Sequence, residues 1–339
     1  MKAAVIHEYH RPVSIDDVPI PSPGPHEVVV RVGGSGLCAS DLHILEGMVG
    51  TVKLPFTPGH ELAGVVFETG SQAHRFEPGD RVVGAIDILC GSCRFCRTGR
   101  GNLCANLTRM GFERNGAHAE YTVIPEDNLI KIPDSIPFEQ AAIIPDAVAC
   151  MLRAIKVQGN VRLGDRVIIL GIGGLGMQGV QIAKLSGASV YCTSRTPRKL
   201  EMALGLGADV AMNPLDVDVE TEVMRLTEGD GCDVVFDNVG VSESMDLAMK
   251  LCRRGGRIVV VGWSAPSFSI SFQDIIMREK EIVGTRASTR QDLIEAVRLV
   301  GEGKVTPLVT DVFPLADINR ALEKLAAGKI LGRGVLIPS

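Results

Sequence analysis

A chain of 339 residues, 45% hydrophobic and 22% charged, has material for two globular cores and none of the bias of a disordered or fibrous protein. A net charge of −5 gives no basic surface for nucleic acid or an anionic membrane, and 4% aromatic residues are too few for a base-stacking platform. No run of about eighteen uncharged apolar residues is present, and residues 1–7 are too short and soon too polar for a signal peptide. The expected location is therefore the cytoplasm, where nine cysteines need a reason other than disulfides.

In chain order, the first half reads as β-rich. Short strands are expected at 3–6, 28–32, 62–68, 81–85 and 119–124, punctuated by Pro/Gly clusters at 19–25 and 77–80. Strands and helices then alternate. Strands at 167–170, 189–193, 210–212, 234–237, 257–261 and 281–284, with helical stretches such as 198–206 and 242–251, make a doubly wound parallel sheet. Residues 267–272 alternate Phe and Ile with Ser, the pattern of a strand half-buried at a subunit edge. Two amphipathic helices, 290–300 and 315–327, and a strand at 334–337 close the chain. The expected domains are 1–149, β-rich and catalytic with a cysteine lobe at 88–106; 150–285, the cofactor domain; and 286–339, too small to fold alone and returning to the first.

The stretch that organises the second domain is the apolar run at 167–170 followed by Gly171, Gly173 and Gly176 in G-x-G-x-x-G spacing, with Gly174 and Leu175 inside the turn. Glycines there allow a tight turn, close approach of backbone to a pyrophosphate and close helix–strand packing, and the helix N-terminus offers N–H groups to the phosphates. Strand, motif, helix and next strand together point to a bound dinucleotide. NAD sites carry an acidic residue about twenty positions on. Here Ser194, Arg195, Arg198 and Lys199 follow the second strand, and no carboxylate appears before Glu201. Arg195 can fork onto a 2′-phosphate with Ser194 donating beside it, which favours NADP and leaves NAD possible.

Cys90, Cys93, Cys96 and Cys104 put four thiols within fifteen residues, with Gly91, Gly99 and Gly101 to turn the chain round one ion. That is structural zinc spacing, with an iron–sulfur cluster as the alternative, and the metal would keep a poorly apolar loop folded. A second set is dispersed: Cys38, Ser40, Asp41 and His43; His60 and Glu61; and Asp146. One Cys, one His and one or two carboxylates make an open site with room for a substrate oxygen. Taken singly, each would be a satisfied polar residue or a cap.

At these residues the chain resembles the zinc-dependent medium-chain alcohol dehydrogenases, closest in pattern to the bacterial NADP-dependent secondary-alcohol enzymes. The matching stretches are 36–43, 59–64, the four-cysteine lobe, 171–176 and 332–336. The resemblance implies an α/β fold: a GroES-like β-rich catalytic domain plus a Rossmann cofactor domain. It implies two zinc ions per chain, the catalytic one on Cys38, His60 and Asp146, with Glu61 able to enter the shell when water leaves. Asp146 is a departure, because many relatives have Cys there, while the bacterial secondary-alcohol dehydrogenases have Asp and polyol dehydrogenases Glu; a carboxylate is the harder ligand. In the implied reaction zinc lowers the pKa of an alcohol, Ser40 takes the proton and passes it by the cofactor ribose to His43, and hydride goes to the nicotinamide. Asp41 is expected to fix the tautomer of His60.

The resemblance also assigns Val239, Gly262, Thr285 and Arg333 to the cofactor, places Cys150 where relatives carry Thr, and lines the cleft with Met48, Ile86, Asp87, Arg109, Met110 and Trp263. Asp87 and Arg109 hint at a polar substrate. Assembly as a homotetramer or homodimer is expected. The expected partner is a small-molecule alcohol, aldehyde or ketone, without nucleic acid or membrane. The alternatives are an NAD-dependent polyol or sugar dehydrogenase, a zinc-free quinone or enoyl reductase, and a non-catalytic dinucleotide-binding protein.

Overall fold

Chain contacts divide the computed structural model, which describes residues 1–262, 264 and 267–338, into two units: Met1–Ala149 with Ala287–Ser339, and Cys150–Arg286. In the first, an eleven-residue strand, Glu27–Leu37, carries the architecture. Val28, Val29 and Val30 are all fully buried, as a strand covered on both faces requires. Two register shifts bend it, between Val29 and Val30 and between Val32 and Gly34. The bend lets its first half pair with Tyr121–Pro125 and its last residues with Arg333–Ile337. Glu61–Thr69 runs antiparallel along most of its length, with Gly36 opposite Glu61. Arg81–Gly84, Leu129–Lys131 and Val309–Pro314 complete a seven-stranded mixed sheet. Leu37, Ile44 and Phe56 share one core with Phe313, Ile318 and Leu322, so the C-terminal segment fills the unit formed by the first half of the chain.

The second unit is a six-stranded, wholly parallel sheet in the order Val210–Met212, Ser189–Thr193, Arg166–Leu170, Cys232–Asp237, Cys252–Val260, Glu281–Gly284. Val167, Ile168 and Ile169 on the middle strand are fully buried, which explains why that run is apolar without alternation. Strand order reverses beside Arg166–Leu170, the switch point of a doubly wound Rossmann arrangement, where ligands sit beyond the carboxyl ends of the strands. The α/β class expected from sequence, with a β-rich unit and a doubly wound parallel sheet, is the one observed.

One expected element is not formed within the single chain, among the described residues. Residues 267–271 form no strand, and Phe272–Ile276 is a short helix. Alternation specifies a strand only where another edge is free to pair with it. Phe272 is instead 83% exposed, and Phe268, Ile276 and Met277 are exposed near it in the chain. Among the described residues no helix is long and apolar enough to cross a membrane.

Candidate functional site

Three segments of the first unit meet at one buried cluster. Cys38 precedes the helix Ala39–Leu45, and its N–H donates to Asp41 Oδ2 at 2.8 Å, so the first helical turn and the thiol are set together. His60 and Glu61 begin the strand Glu61–Thr69. Asp146 lies on a π-helical turn, Ile144–Val148, that opens with Pro145 near its start; widened turns of this kind recur at functional sites. The structure brings one ligand atom from each of Cys38, His60, Glu61 and Asp146 within 4.8 Å of the others. Cys38 Sγ is 3.6 Å from Asp146 Oδ2, and His60 Nε2 is 4.0 Å from the same oxygen. His60 Nδ1 points the other way, 4.0 Å from Asp41 Oδ1.

Burial raises Glu61 well above the ordinary carboxylate range, with Arg333 opposing and Asp146 adding to the rise. Burial likewise raises the Cys38 thiol, again against Arg333. A buried thiol and two carboxylates cannot all ionise together without a cation among them. Soft sulfur, imidazole nitrogen and hard oxygen in one buried cluster suit a divalent metal of the zinc kind. Arg333 supplies positive charge here: its guanidinium donates to Glu61 and to Asp146. The residue that the resemblance assigns to the cofactor is thus also a partner of the carboxylates in this cluster.

Ser40 Oγ lies 3.6 Å from Cys38 Sγ, and His43 follows three residues later on the same helix face. Burial pulls His43 below the ordinary histidine value, with Asp41 opposing. Phe112 lies against the His60 ring with centroids 5.2 Å apart, and the Arg109 guanidinium stacks 4.1 Å from the Phe112 centroid. Arg109 is also ion-paired with Glu113, so its charge is already matched within the protein. Of the other expected lining residues, Ile86 and Asp87 are buried, Met48 is exposed, and Met110 is packed in the sheet core with Val30 and Leu62. Trp263 lies outside the described residues. His118, which belongs to no motif and sits far from Asp41 in the chain, is a neighbour of Asp41 that spacing alone does not reveal.

The four-cysteine lobe is closed. Cys104 Sγ is 3.4 Å from Cys90 Sγ and 3.9 Å from Cys93 Sγ, and Cys96 Sγ is 3.5 Å from Cys93 Sγ and 4.0 Å from Cys90 Sγ. N–H groups of Ser92 and Cys93 pull Cys90 down to about 6, whereas desolvation and the neighbouring thiols push Cys96 up to about 12. All nine cysteines are unbridged.

In the second unit the glycine turn joins Arg166–Leu170 to the helix Gly176–Leu185, with Leu175 at the cap and Gly174 just before it. Gly171 has φ +84°, and a Cβ on Gly176 would stand 2.4 Å from the Gly171 carbonyl oxygen, so neither tolerates a side chain. A Cβ on Gly173 would meet nothing within 4 Å: the turn is open on the side a pyrophosphate needs. Past the strand ends, Asn238 Oδ1 and Thr285 Oγ1 are buried without a hydrogen-bond partner among the described residues, acceptors or donors a bound dinucleotide could satisfy. Gly262 packs its backbone on Asn238 and Val239 nearby. Ser194 Oγ accepts from the Thr196 N–H at 3.1 Å. Arg198 is paired with Glu201 at 2.7 Å, whereas Arg195 is exposed and has no protein partner among the described residues.

Sequence and structure comparisons agree with this geometry. Residues 24–134 match the model of the alcohol dehydrogenase GroES-like domain, and residues 174–302 match that of the zinc-binding dehydrogenases. An alcohol dehydrogenase of Geobacillus stearothermophilus is 37% identical over 339 residues, 99% of each chain. A D-arabinose 1-dehydrogenase (NADP(+)) of Saccharolobus solfataricus is 34% identical over 345 residues, covering 99% of this chain and 97% of its own. The solved alcohol dehydrogenase of Aeropyrum pernix superposes with a TM-score of 0.94 at 35% identity over the full length of both chains. With both halves matched by family models and whole-chain relatives above 30% identity, this protein belongs to the zinc-dependent medium-chain alcohol dehydrogenase family.

Proposed function

We propose that this alcohol dehydrogenase transfers hydride between NADP(H) and an alcohol paired with its aldehyde or ketone, using one zinc at Cys38, His60 and Asp146 and a second in the Cys90–Cys93–Cys96–Cys104 lobe. Zinc, when bound, supplies a Lewis acid that eases loss of the alcohol proton, and the nicotinamide supplies the hydride acceptor. Cys38, His60 and Asp146 bind the metal and leave a position for substrate, while Glu61 is a reserve ligand held by Arg333. Ser40 receives the proton, and His43, on the same helix face and neutral at pH 7 because burial depresses its pKa, accepts it farther out. The glycine turn, Val239, Gly262 and Thr285 hold the dinucleotide, and Ser194 with Arg195 hold its 2′-phosphate.

The observation that carries the NADP reading is Arg195: an exposed guanidinium with no protein partner among the described residues, at the end of Ser189–Thr193, with no acidic residue in the positions next to it. Among metal-loaded assays, kcat/KM compared for NADP and NAD over primary, secondary, polyol and aromatic alcohols tests both halves of the proposal. An NAD preference would end the cofactor assignment, and turnover of none of these alcohols would end the substrate class.

A second reading, a sugar or polyol as substrate, is supported by the D-arabinose 1-dehydrogenase relative. The pairing of Arg109 with Glu113 speaks against it, because one of the two charges expected to meet a polar substrate, Asp87 being the other, is already neutralised. Assembly as a dimer or tetramer is supported by the exposed Phe268, Phe272, Ile276 and Met277, which a second chain would cover. Equilibrium sedimentation finding only monomer would dismiss it.

A further inference from the structure

Behind His60 lies a buried chain of polar groups that no motif announces. Asp41 Oδ1 faces two imidazoles at once: His60 Nδ1 at 4.0 Å and His118 Nε2 at 3.6 Å. On its far side His118 Nδ1 is 2.8 Å from Ser35 Oγ. Ser35 and His118 are fully buried, and Asp41 and His60 are each 2% exposed. Among the described residues Asp41 Oδ1, His60 Nδ1 and His118 Nε2 have no hydrogen-bond partner, and they face one another. These atoms are buried from bulk solvent, and the polar groups nearest to each belong to the same cluster.

The backbone holds the two imidazoles in fixed relation. N–H groups of Gly116, Ala117 and His118 donate to the carbonyls of Thr57, Gly59 and Pro58 at 2.7, 2.8 and 3.0 Å, zipping the His118 segment to the residues just before His60. Gly59 has φ +101°, and a Cβ there would lie 2.5 Å from His118 Nδ1, so the ring rests directly on the backbone preceding the ligand. Asp41 Oδ2 is already occupied by the Cys38 N–H. Oδ1 is left facing two ring nitrogens, one from each histidine, at separations longer than a direct hydrogen bond. If Ser35 donates to His118 Nδ1, the proton of His118 is on Nε2, aimed at Asp41. If Asp41 takes the Nδ1 proton of His60, the lone pair of His60 Nε2 is left facing Cys38 and Asp146.

We propose that His118 is a positioning residue for the catalytic metal: with Ser35 behind it, it orients Asp41, and Asp41 holds His60 in the tautomer that presents Nε2 to the metal. Loss of such an outer partner commonly costs a metal site about 10–100-fold in affinity.

This inference rests on the reading of Cys38, His60 and Asp146 as ligands, and the experiment separates the two. Zinc release from the purified holoenzyme to a chromogenic chelator, and the visible absorption of the cobalt-substituted enzyme, are measured for wild type and variants. Wild type holding metal only in the four-cysteine lobe would overturn the ligand reading and this inference with it. With two metals in wild type, His118→Leu should release the catalytic metal about 10–100-fold faster and shift the cobalt bands, leaving the lobe metal unchanged. His118→Gln, which keeps an N–H near the Nε2 position, should restore most of the retention. In an Asp41→Asn background His118→Leu should add nothing. A folded His118→Leu that keeps its catalytic metal at the wild-type rate, a Gln variant no better than Leu, or full additivity with Asp41→Asn would each overturn the proposal. Should His118→Leu fail to fold, Ser35→Ala decides: several-fold faster release is expected, and the wild-type rate would overturn the inference.

Discussion

Arg333 Nε donates to Glu61 Oε1 at 3.0 Å, and the two side chains reach each other from strands that flank the same central strand, Glu27–Leu37. Both are almost fully buried, at 6% and 0% side-chain exposure. The same guanidinium also reaches Asp146, so one cation serves two carboxylates at the metal cluster. A permanent protein cation thus supplies part of the charge balance in this candidate metal site.

Removing that cation should matter most when the metal is gone. Arg333→Met should destabilise the metal-stripped protein by about 3–5 kcal/mol, the usual cost of leaving a buried partner uncompensated. In the zinc-loaded enzyme the loss should be smaller, because the metal neutralises the same groups. Denaturant melts with and without chelator measure the difference; equal losses would make Arg333 a packing residue.

Two zincs per chain are expected by elemental analysis. Cys90→Ser should lower the count to one and lower the melting temperature, with the lobe becoming sensitive to proteolysis before the rest of the chain. A Cys90→Ser protein with both metals retained would show that the lobe does not need all four sulfurs. No zinc in active wild-type enzyme would remove the mechanism altogether.

His43 carries a pH signature. Burial lowers its pKa from the ordinary 6.5, so in the wild type it is neutral and able to accept a proton from below that pH upward. Without it, proton release depends on solvent base, which becomes scarcer as pH falls. His43→Ala should therefore slow alcohol oxidation most on the acid side of the profile and approach the wild-type rate at high pH, with zinc content intact. A uniform loss at every pH would dismiss the relay role, and loss of zinc would make His43 a structural residue.

Arg195 is the clearest single test of cofactor choice. Truncating it to Ala should remove about 1.5–3 kcal/mol of charged hydrogen bonding to a 2′-phosphate, or roughly one to two powers of ten in kcat/KM for NADP. NAD, without that phosphate, should change little. Ser194→Asp should add repulsion toward NADP and offer NAD an acceptor for its ribose hydroxyls. Equal losses with both cofactors would mark Arg195 as structural.

Sequence alone was enough for the elements whose chemistry is local. The apolar run 167–170 followed by Gly171, Gly173 and Gly176 specifies a buried strand and a tight turn through side-chain size and backbone freedom alone, and both are present. Cys90, Cys93, Cys96 and Cys104 lie close enough in the chain that the spacing already implies a cluster. Alternation at 267–272 does not make a strand within the single chain, because a strand needs a neighbour and the pattern does not supply one. Tertiary structure decided what depends on distant segments meeting. Only the bent strand Glu27–Leu37, with Glu61–Thr69 on one side and Arg333–Ile337 on the other, puts Arg333 between Glu61 and Asp146. Only the backbone zip between 57–59 and 116–118 sets His118 behind Asp41. Such ion pairs and hydrogen bonds are made by atoms at the ends of side chains, whose positions follow from packing rather than from their neighbours in the chain, and no local pattern records them.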